Sequence, residues 1–252
     1  MKAIFLADAH LKGPGDAAQE SLLGLLANLR GTRGNDDGAA AARLCVDQLI
    51  IAGDFFDFWF ARGKCVYPGF LPVIERLASL KREGVRICLC EGNHDFFLAD
   101  YFVPALGIEV FEEWAELELD GLKVLASHGD TIDRANRKYL MLRGFLRSPF
   151  ARALQRLLPL ALLWRVARFS SRISKGMSGQ SRDRLAEVMY AFALEQFREG
   201  YDAVILGHCH KPLIRQDEGE PPKTFVSLGD WGTCSTYLLC DNGRFTLNRF
   251  SP

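Results

Sequence analysis

Between Asp133 and Asp183 the chain has no acidic residue at all, although Asp and Glu together number 31 of its 252 residues. The same stretch holds twelve Lys and Arg, so the rest of the chain carries nineteen basic against 31 acidic side chains. The zero net charge therefore averages two opposite regions, and the basic one calls for an anionic partner. No apolar run reaches membrane-spanning length without an Arg or Pro, which argues against a spanning helix. The apolar start, Met1 to Leu6, is too short for a secretory leader before it meets Asp8. Cysteines number seven, an odd count scattered through a chain too large to need disulfide staples. A reduced cytoplasmic location is expected, with Cys88 and Cys90 alternating along a strand to face one side as small apolar residues.

What is present in quantity is apolar: 48% of residues, enough to bury a large core and to exclude disorder. Ala3–Ala7, Gln48–Ala52, Val85–Cys90 and Ala203–Leu206 read as buried strands. Ser21–Leu29, Leu71–Glu83 and Asp183–Arg198 have helical spacing between them. Such alternation predicts a largely parallel sheet covered by helices on both faces. Leu117–Leu119 and Leu122–Ala126, split by Asp120-Gly121, predict a hairpin, and Thr224–Leu228, Ser235–Cys240 and Arg244–Phe250 predict closing strands. Inside the acid-free stretch, Tyr139–Leu146, Ala151–Leu158 and Leu160–Ser170 read as basic amphipathic helices broken by Pro149 and Pro159. The expected fold class is α/β, a β-sandwich flanked by helices. Its core spans 1–130 and 181–252, and a helical cap is inserted at 131–180.

Histidine is scarce, and its five copies are not scattered. All lie in short motifs at strand ends: Asp8-Ala9-His10, Gly92-Asn93-His94-Asp95, His128-Gly129-Asp130 and Gly207-His208-Cys209-His210, joined by Gly53-Asp54-Phe55-Phe56-Asp57. The carboxyl ends of strands are where open α/β sheets hold ligands. Any one motif alone is ordinary turn chemistry. Their coincidence is not. The donors are imidazole, carboxylate and one amide without thiolate, which suits Mn²⁺ first, with Fe²⁺ and Zn²⁺ as alternatives. There are too many for one ion, and two ions about 3.5–4 Å apart would need a bridging carboxylate.

The five blocks, in this order, resemble the calcineurin-like metallophosphoesterase family. The resemblance implies that Asp8, His10, Asp54 and His210 hold one divalent ion, and that Asp54, Asn93, His128 and His208 hold the other, with Asp54 bridging. It implies that His94 stands beside the phosphoryl group as charge stabiliser or acid, oriented by Asp95. Gly53-Asp54-Phe55-Phe56-Asp57-Phe58-Trp59, His128-Gly129-Asp130-Thr131 and Leu228-Gly229-Asp230-Trp231 are similar to the UDP-2,3-diacylglucosamine pyrophosphatases of lipid A synthesis. A helical insertion straight after His-Gly-Asp-Thr, containing Leu158-Pro159-Leu160, extends the similarity. That family splits its substrate into a lipid monophosphate and UMP, under a cap that covers the acyl chains. By this resemblance Asn93, His94, Asn136, Tyr139, Ser174 and His208 would contact substrate. The chain departs at His94, where enterobacterial members have Arg, at Ala135-Asn136 in place of their paired Asp, and at Cys209, where members usually have Thr.

The cap adds a physical argument. Arginine forks suit phosphates, and interleaved apolar residues such as Phe150, Leu157 and Trp164, the last two expected to be exposed, suit acyl chains or an anionic leaflet. A lipid-linked nucleotide sugar ranks first as partner, with peripheral contact at the inner membrane surface. Another phosphoester ranks second, and nucleic acid third and last. The rival from outside enzymes is a metal-bound scaffold without turnover. Asp57 reads as a partner of ligands rather than a ligand, and Asp130 and Asp230 as ligand-orienting groups or turn caps.

Overall fold

A computed structural model of the chain describes residues 1–31, 44–165 and 182–251. From the amino end, β1 (Lys2–Leu6) leads into α1 (Ala17–Ala27), and the two-residue strands β2 (Leu29–Arg30) and β3 (Leu44–Cys45) pair with each other. Then come β4 (Gln48–Ala52), α2 (Leu71–Arg82), β5 (Arg86–Cys90), α3 (Ala99–Leu106) and β6 (Glu109–Phe111). The hairpin β7 (Trp114–Leu119) and β8 (Leu122–Ser127) precedes α4 (Arg137–Leu146) and α5 (Pro149–Leu157). The chain returns through α6 (Arg182–Arg198), β9 (Ala203–Leu206), β10 (Leu213–Gln216) and β11 (Thr224–Ser227). A single helical turn, α7 (Trp231–Cys234), and the strands β12 (Thr236–Asp241) and β13 (Arg244–Arg249) finish it.

The expected sandwich is present; apart from the β2–β3 pair, its described strands form two mixed sheets rather than one largely parallel one. One runs β13-β12-β1-β4-β5-β6 and the other β10-β11-β9-β8-β7. β12 enters antiparallel beside β1, with Lys2 opposite Asp241, a pairing between chain ends that no local pattern announces. Between the sheets Ala3, Phe5, Ile50, Cys88 and Cys90 pack on Ala115, Leu117, Val124 and Ile205. The two cysteines therefore share a face as expected, and burial pushes the Cys88 thiol up to about 11. Outside the first sheet, Leu6, Ile51 and Leu89 meet Leu22, Leu77 and Phe102 of α1, α2 and α3. Outside the second, Val204 and Phe225 meet Met189 and Phe197 of α6. β4 and β9 are buried along their whole length, as apolar runs covered on both faces must be. β7 alternates because only one face is covered, and Asp120-Gly121, both with positive φ, turn it into β8.

Local signals explain the differences at element ends. α1 starts at Ala17, earlier than expected, because the Asp16 side chain caps the Ala18 N–H. α3 escapes sequence reading because Pro104 lies inside it. In the cap, α5 begins at Ser148-Pro149, with the serine hydroxyl accepting from Ala151 N. No residue of α4 is buried, and only Ala151 of α5. The third cap helix is described over 160–165. Its Trp164 is not exposed as expected: the indole N–H donates to Phe60 O, and the ring sits 5.5 Å from that of Tyr67. Ser174 lies outside the described residues.

Candidate metal centre

Every expected ligand stands just past a strand end. Asp8 and His10 follow β1, Asp54 follows β4, Asn93 follows β5, His128 follows β8, and His208 and His210 follow β9. Five of the nine non-glycine residues with left-handed backbone among the described residues are Asp8, His10, Asp54, His208 and His210. Strain held at that many donors marks a site whose geometry overrides backbone preference. Close approach also dictates the glycines. A Cβ on Gly92 would lie 2.1 Å from Asp54 Oδ1, and one on Gly53 2.5 Å from His128 Cβ.

The donors gather in two overlapping groups. Asp8 Oδ1 lies 3.2 Å from His210 Nε2 and 3.9 Å from His10 Nε2. His128 Nε2 lies 3.0 Å from Asn93 Oδ1 and 3.2 Å from His208 Nδ1. Asp54 Oδ2 joins both, at 3.7 Å from His10 Nε2 and 3.4 Å from His128 Nε2. Two ligand atoms each about 2.1 Å from one ion are themselves about 3–4 Å apart, so the spacing fits divalent cations. The triads Asp8/His10/His210, His10/Asp54/His94 and Asp8/Asp54/His128 each bring one donor atom per residue within 4.8 Å of the others.

Electrostatics give the same reading. Burial disfavours a charged His128, but the Asp54 carboxylate beside it prevails and raises its pKa to about 10. His210 likewise rises to about 10 against its burial, through hydrogen bonds with Asp230 and Asp8. Burial and the charge of His128 lower His208 to about 4. Without metal, protons on two imidazoles neutralise the buried carboxylates; a divalent ion would displace them.

The surrounding residues are placed less predictably. Asp95 does not hold the His94 ring. Its carboxylate accepts N–H bonds from Asp54, Phe55, Phe56 and Gly92 at 2.7–3.1 Å, tying two ligand loops together. His94 Nδ1 instead meets the Asp57 carbonyl at 3.1 Å, and its backbone N–H donates to Asp54 Oδ1 at 2.8 Å. Asp230 does both things expected of it: Oδ2 lies 3.6 Å from His210 Nδ1, and Oδ1 caps α7 through Thr233 N. Asp130 accepts from Tyr139 Oη at 2.5 Å and Arg143 Nε at 2.7 Å, fastening α4 to the core. Tyr139 thus stands at the edge of the centre, its ring 6.3 Å from that of His208. Asn136 is exposed at the start of α4 and makes no capping hydrogen bond.

Two residues were missed from sequence, Glu91 and Arg147, which meet at 2.7 Å. An acid directly before the Gly-Asn-His-Asp block was the available signal, since a buried carboxylate requires a cation. A cleft lined by Trp59, Phe96, Phe97, Arg152, Arg156 and Leu163 opens beside α5, with Asp100 in its wall paired to Arg152.

The calcineurin-like phosphoesterase family model matches residues 1–212. The UDP-2,3-diacylglucosamine hydrolase of Pseudomonas savastanoi pv. phaseolicola is 29% identical over 208 residues, 81% of this chain and 83% of the relative. Its namesake from Pseudomonas entomophila is 31% identical over 212 residues, 80% of this chain and 85% of the relative. That of Pseudomonas syringae pv. tomato is 27% identical over 251 residues, 98% and 95% of the two chains.

Proposed function

The chain belongs to the calcineurin-like phosphoesterase family, and from that premise we propose that it hydrolyses the pyrophosphate of UDP-2,3-diacylglucosamine to the lipid monophosphate and UMP. The observation that carries the substrate is the cleft, where Trp59 and Phe96, close in sequence to Asp57 and His94, meet Arg156 and Leu163, giving an acyl chain apolar partners and a phosphate a cation. In this reading the core is 1–130 with 181–252, and the cap is 131–180.

Asp8, His10, Asp54 and His210 would hold one divalent ion, and Asp54, Asn93, His128 and His208 a second, Asp54 Oδ2 being the shared donor. Mn²⁺ is the favoured species for a set of hard oxygen and imidazole donors. Bound there, the ions supply Lewis-acid activation of the phosphoryl group and of water. The protein's own part is orientation and proton delivery. His94 Nδ1 donates to the Asp57 carbonyl, which fixes the ring, so Nε2 is the nitrogen that would serve the phosphoryl group. Burial opposes its charge, but Asp54 and the Asp57 carbonyl raise its pKa, so Nε2–H can donate to the leaving oxygen. Asp95 and Asp230 keep the ligand loops and the His210 ring in place. Asn136, Tyr139 and Ser174 remain assigned to the sugar-phosphate side of the cap.

The outer face of the cap supports peripheral contact with the cytoplasmic surface of the inner membrane. Phe150, Leu154 and Leu157, one face of α5, are 68%, 47% and 81% exposed, and the Phe145 ring adjoins that of Phe150. His94, where the enterobacterial pyrophosphatases have Arg, favours a second reading, a different phosphodiester or pyrophosphate. Incubation with UDP-2,3-diacylglucosamine and Mn²⁺, followed by mass spectrometry, separates them: UMP and lipid monophosphate are expected. Turnover of bis-p-nitrophenyl phosphate without cleavage of the lipid substrate leaves the second reading, and no metal-dependent turnover of either leaves a scaffold.

A further inference from the structure

Arg147 closes α4 at the corner where the cap turns into α5, yet its guanidinium enters the core. One arm donates to Glu91 Oε2 at 2.7 Å and the other to Gly92 O at 2.9 Å, and the fork lies 5.6 Å from the Phe96 ring centroid. Glu91 is 2% exposed, and its other oxygen accepts the Leu98 N–H at 2.8 Å. That carboxylate therefore staples the two ends of the loop 91–98, which carries Asn93 and His94. Gly92 N–H in turn binds Asp95, whose carboxylate reaches the Asp54 loop. Arg147 is the cation that allows a buried acid to hold this loop shut.

Resting on the reading that Asn93 and His94 serve the phosphoryl centre, we infer that Arg147 is a positioning residue for them, so that cap placement and metal-site geometry are one mechanical unit. The cap then has two kinds of residue. Those lining its cleft or outer face act on the lipid, whereas Arg147 acts through Glu91 on chemistry that needs no lipid. Removing it leaves Glu91 buried without its partner, and the loop relaxes at the residue next to Asn93.

Three variants test this in the full-length protein. Arg147→Met keeps the packing stem and removes the fork. Glu91→Gln keeps the shape but turns an amide N–H₂ toward either Leu98 N–H or the guanidinium. Arg147→Lys keeps the charge but cannot fork to both acceptors. With bis-p-nitrophenyl phosphate as substrate, Arg147→Met and Glu91→Gln should lower kcat by about 10–100-fold at nearly unchanged KM, and weaken Mn²⁺ binding in calorimetry by the same order. Arg147→Lys should recover part of both. In the metal-free protein, hydrogen exchange across 91–98 should quicken in the first two variants. Wild-type Mn²⁺ affinity, kcat and exchange in both overturn the inference. If Arg147→Met does not fold, the comparison of Glu91→Gln with Arg147→Lys decides on the same readouts. A wild-type protein that neither binds Mn²⁺ nor cleaves the diester, but whose loop exchange still responds to Arg147→Met, would fail the phosphoesterase reading while keeping the positioning role.

Discussion

Asp54 carries more of the centre than any other side chain. Oδ2 is within 3.7 Å of His10 Nε2 and within 3.4 Å of His128 Nε2, while Oδ1 accepts the His94 N–H. Asp54→Asn removes the negative charge shared by both donor groups. Turnover should fall by at least roughly 10²–10³-fold, with less metal retained in elemental analysis. Two ions per chain at normal turnover would refute the shared position. His94→Ala should behave differently, keeping both ions and slowing the reaction by roughly 10²–10⁴-fold, as for a positioned acid. Loss of one ion from that variant would make His94 a ligand. The imidazoles also set a pH dependence. His128 and His210 have folded pKa values of about 10, above an unfolded value of about 6.5, so their stabilisation is full below pH 6.5 and fades as pH rises toward 10. Asp95, raised by burial and by Asp54 to about 7, loses its stabilisation in a lower window, from about pH 4 to 7, and adds nothing to the change above it. With chelator present, the Tm should therefore fall across the window of the two histidines, and the increment given by Mn²⁺ should grow with pH because its ligands must be neutral imidazoles. A metal-free Tm that climbs from neutral to alkaline pH would contradict these assignments.

At the scale of elements, the centre is a set of loops pinned to strand ends, and Gly92 tests how tightly. A methyl group there has Asp54 Oδ1 at 2.1 Å and Asp54 N at 2.4 Å, with no flexible side chain to yield. Gly92→Ala should cost about 1–3 kcal/mol in denaturant unfolding and reduce metal retention together. Unchanged stability and metal content would mean the two loops are free to separate. These loops were legible beforehand because the chemistry sits next to the pattern: an apolar strand such as Gln48–Ala52 runs directly into Gly53-Asp54, and each histidine follows the same logic. Pairings across long distances were not legible. Nothing local places β12 beside β1, or tells that Asp95 accepts backbone N–H groups of Asp54, Phe55 and Phe56 instead of turning to its neighbour His94. Arg147 and Glu91 are 56 residues apart, so their pairing appears only when the end of α4 is folded against the loop after β5.

Across the whole molecule, the acid-free segment divides its apolar residues between two surfaces. Leu163 faces the cleft beside Phe96 and Phe97, whereas Phe150, Leu154 and Leu157 recur at one face of α5 and point away from the core. Sequence alone merged them into one lipid-contacting set and put Trp164 among the exposed residues. No helix among the described residues is long and apolar enough to cross a membrane; the proposed bilayer contact is placed on this outer face because its apolar side chains are exposed. Full burial of a Leu or Phe side chain contributes about 1.5–3 kcal/mol, and even partial immersion of three gives roughly 3 kcal/mol, a partitioning change of roughly 10²-fold. Replacing Phe150, Leu154 and Leu157 together by Ser should abolish cosedimentation with vesicles containing anionic lipid, and slow cleavage of UDP-2,3-diacylglucosamine presented in those vesicles. Leu163→Ser should do the reverse, retaining vesicle binding while raising KM for the same substrate in detergent micelles, where the outer face is not needed. High salt should weaken the vesicle binding that Leu163→Ser retains, since the arginines contribute through screened attraction. If the triple variant still sediments with vesicles like the wild type, the outer face is not the membrane-contacting surface. If Leu163→Ser leaves micellar KM unchanged, the cleft is not where the acyl chains lie.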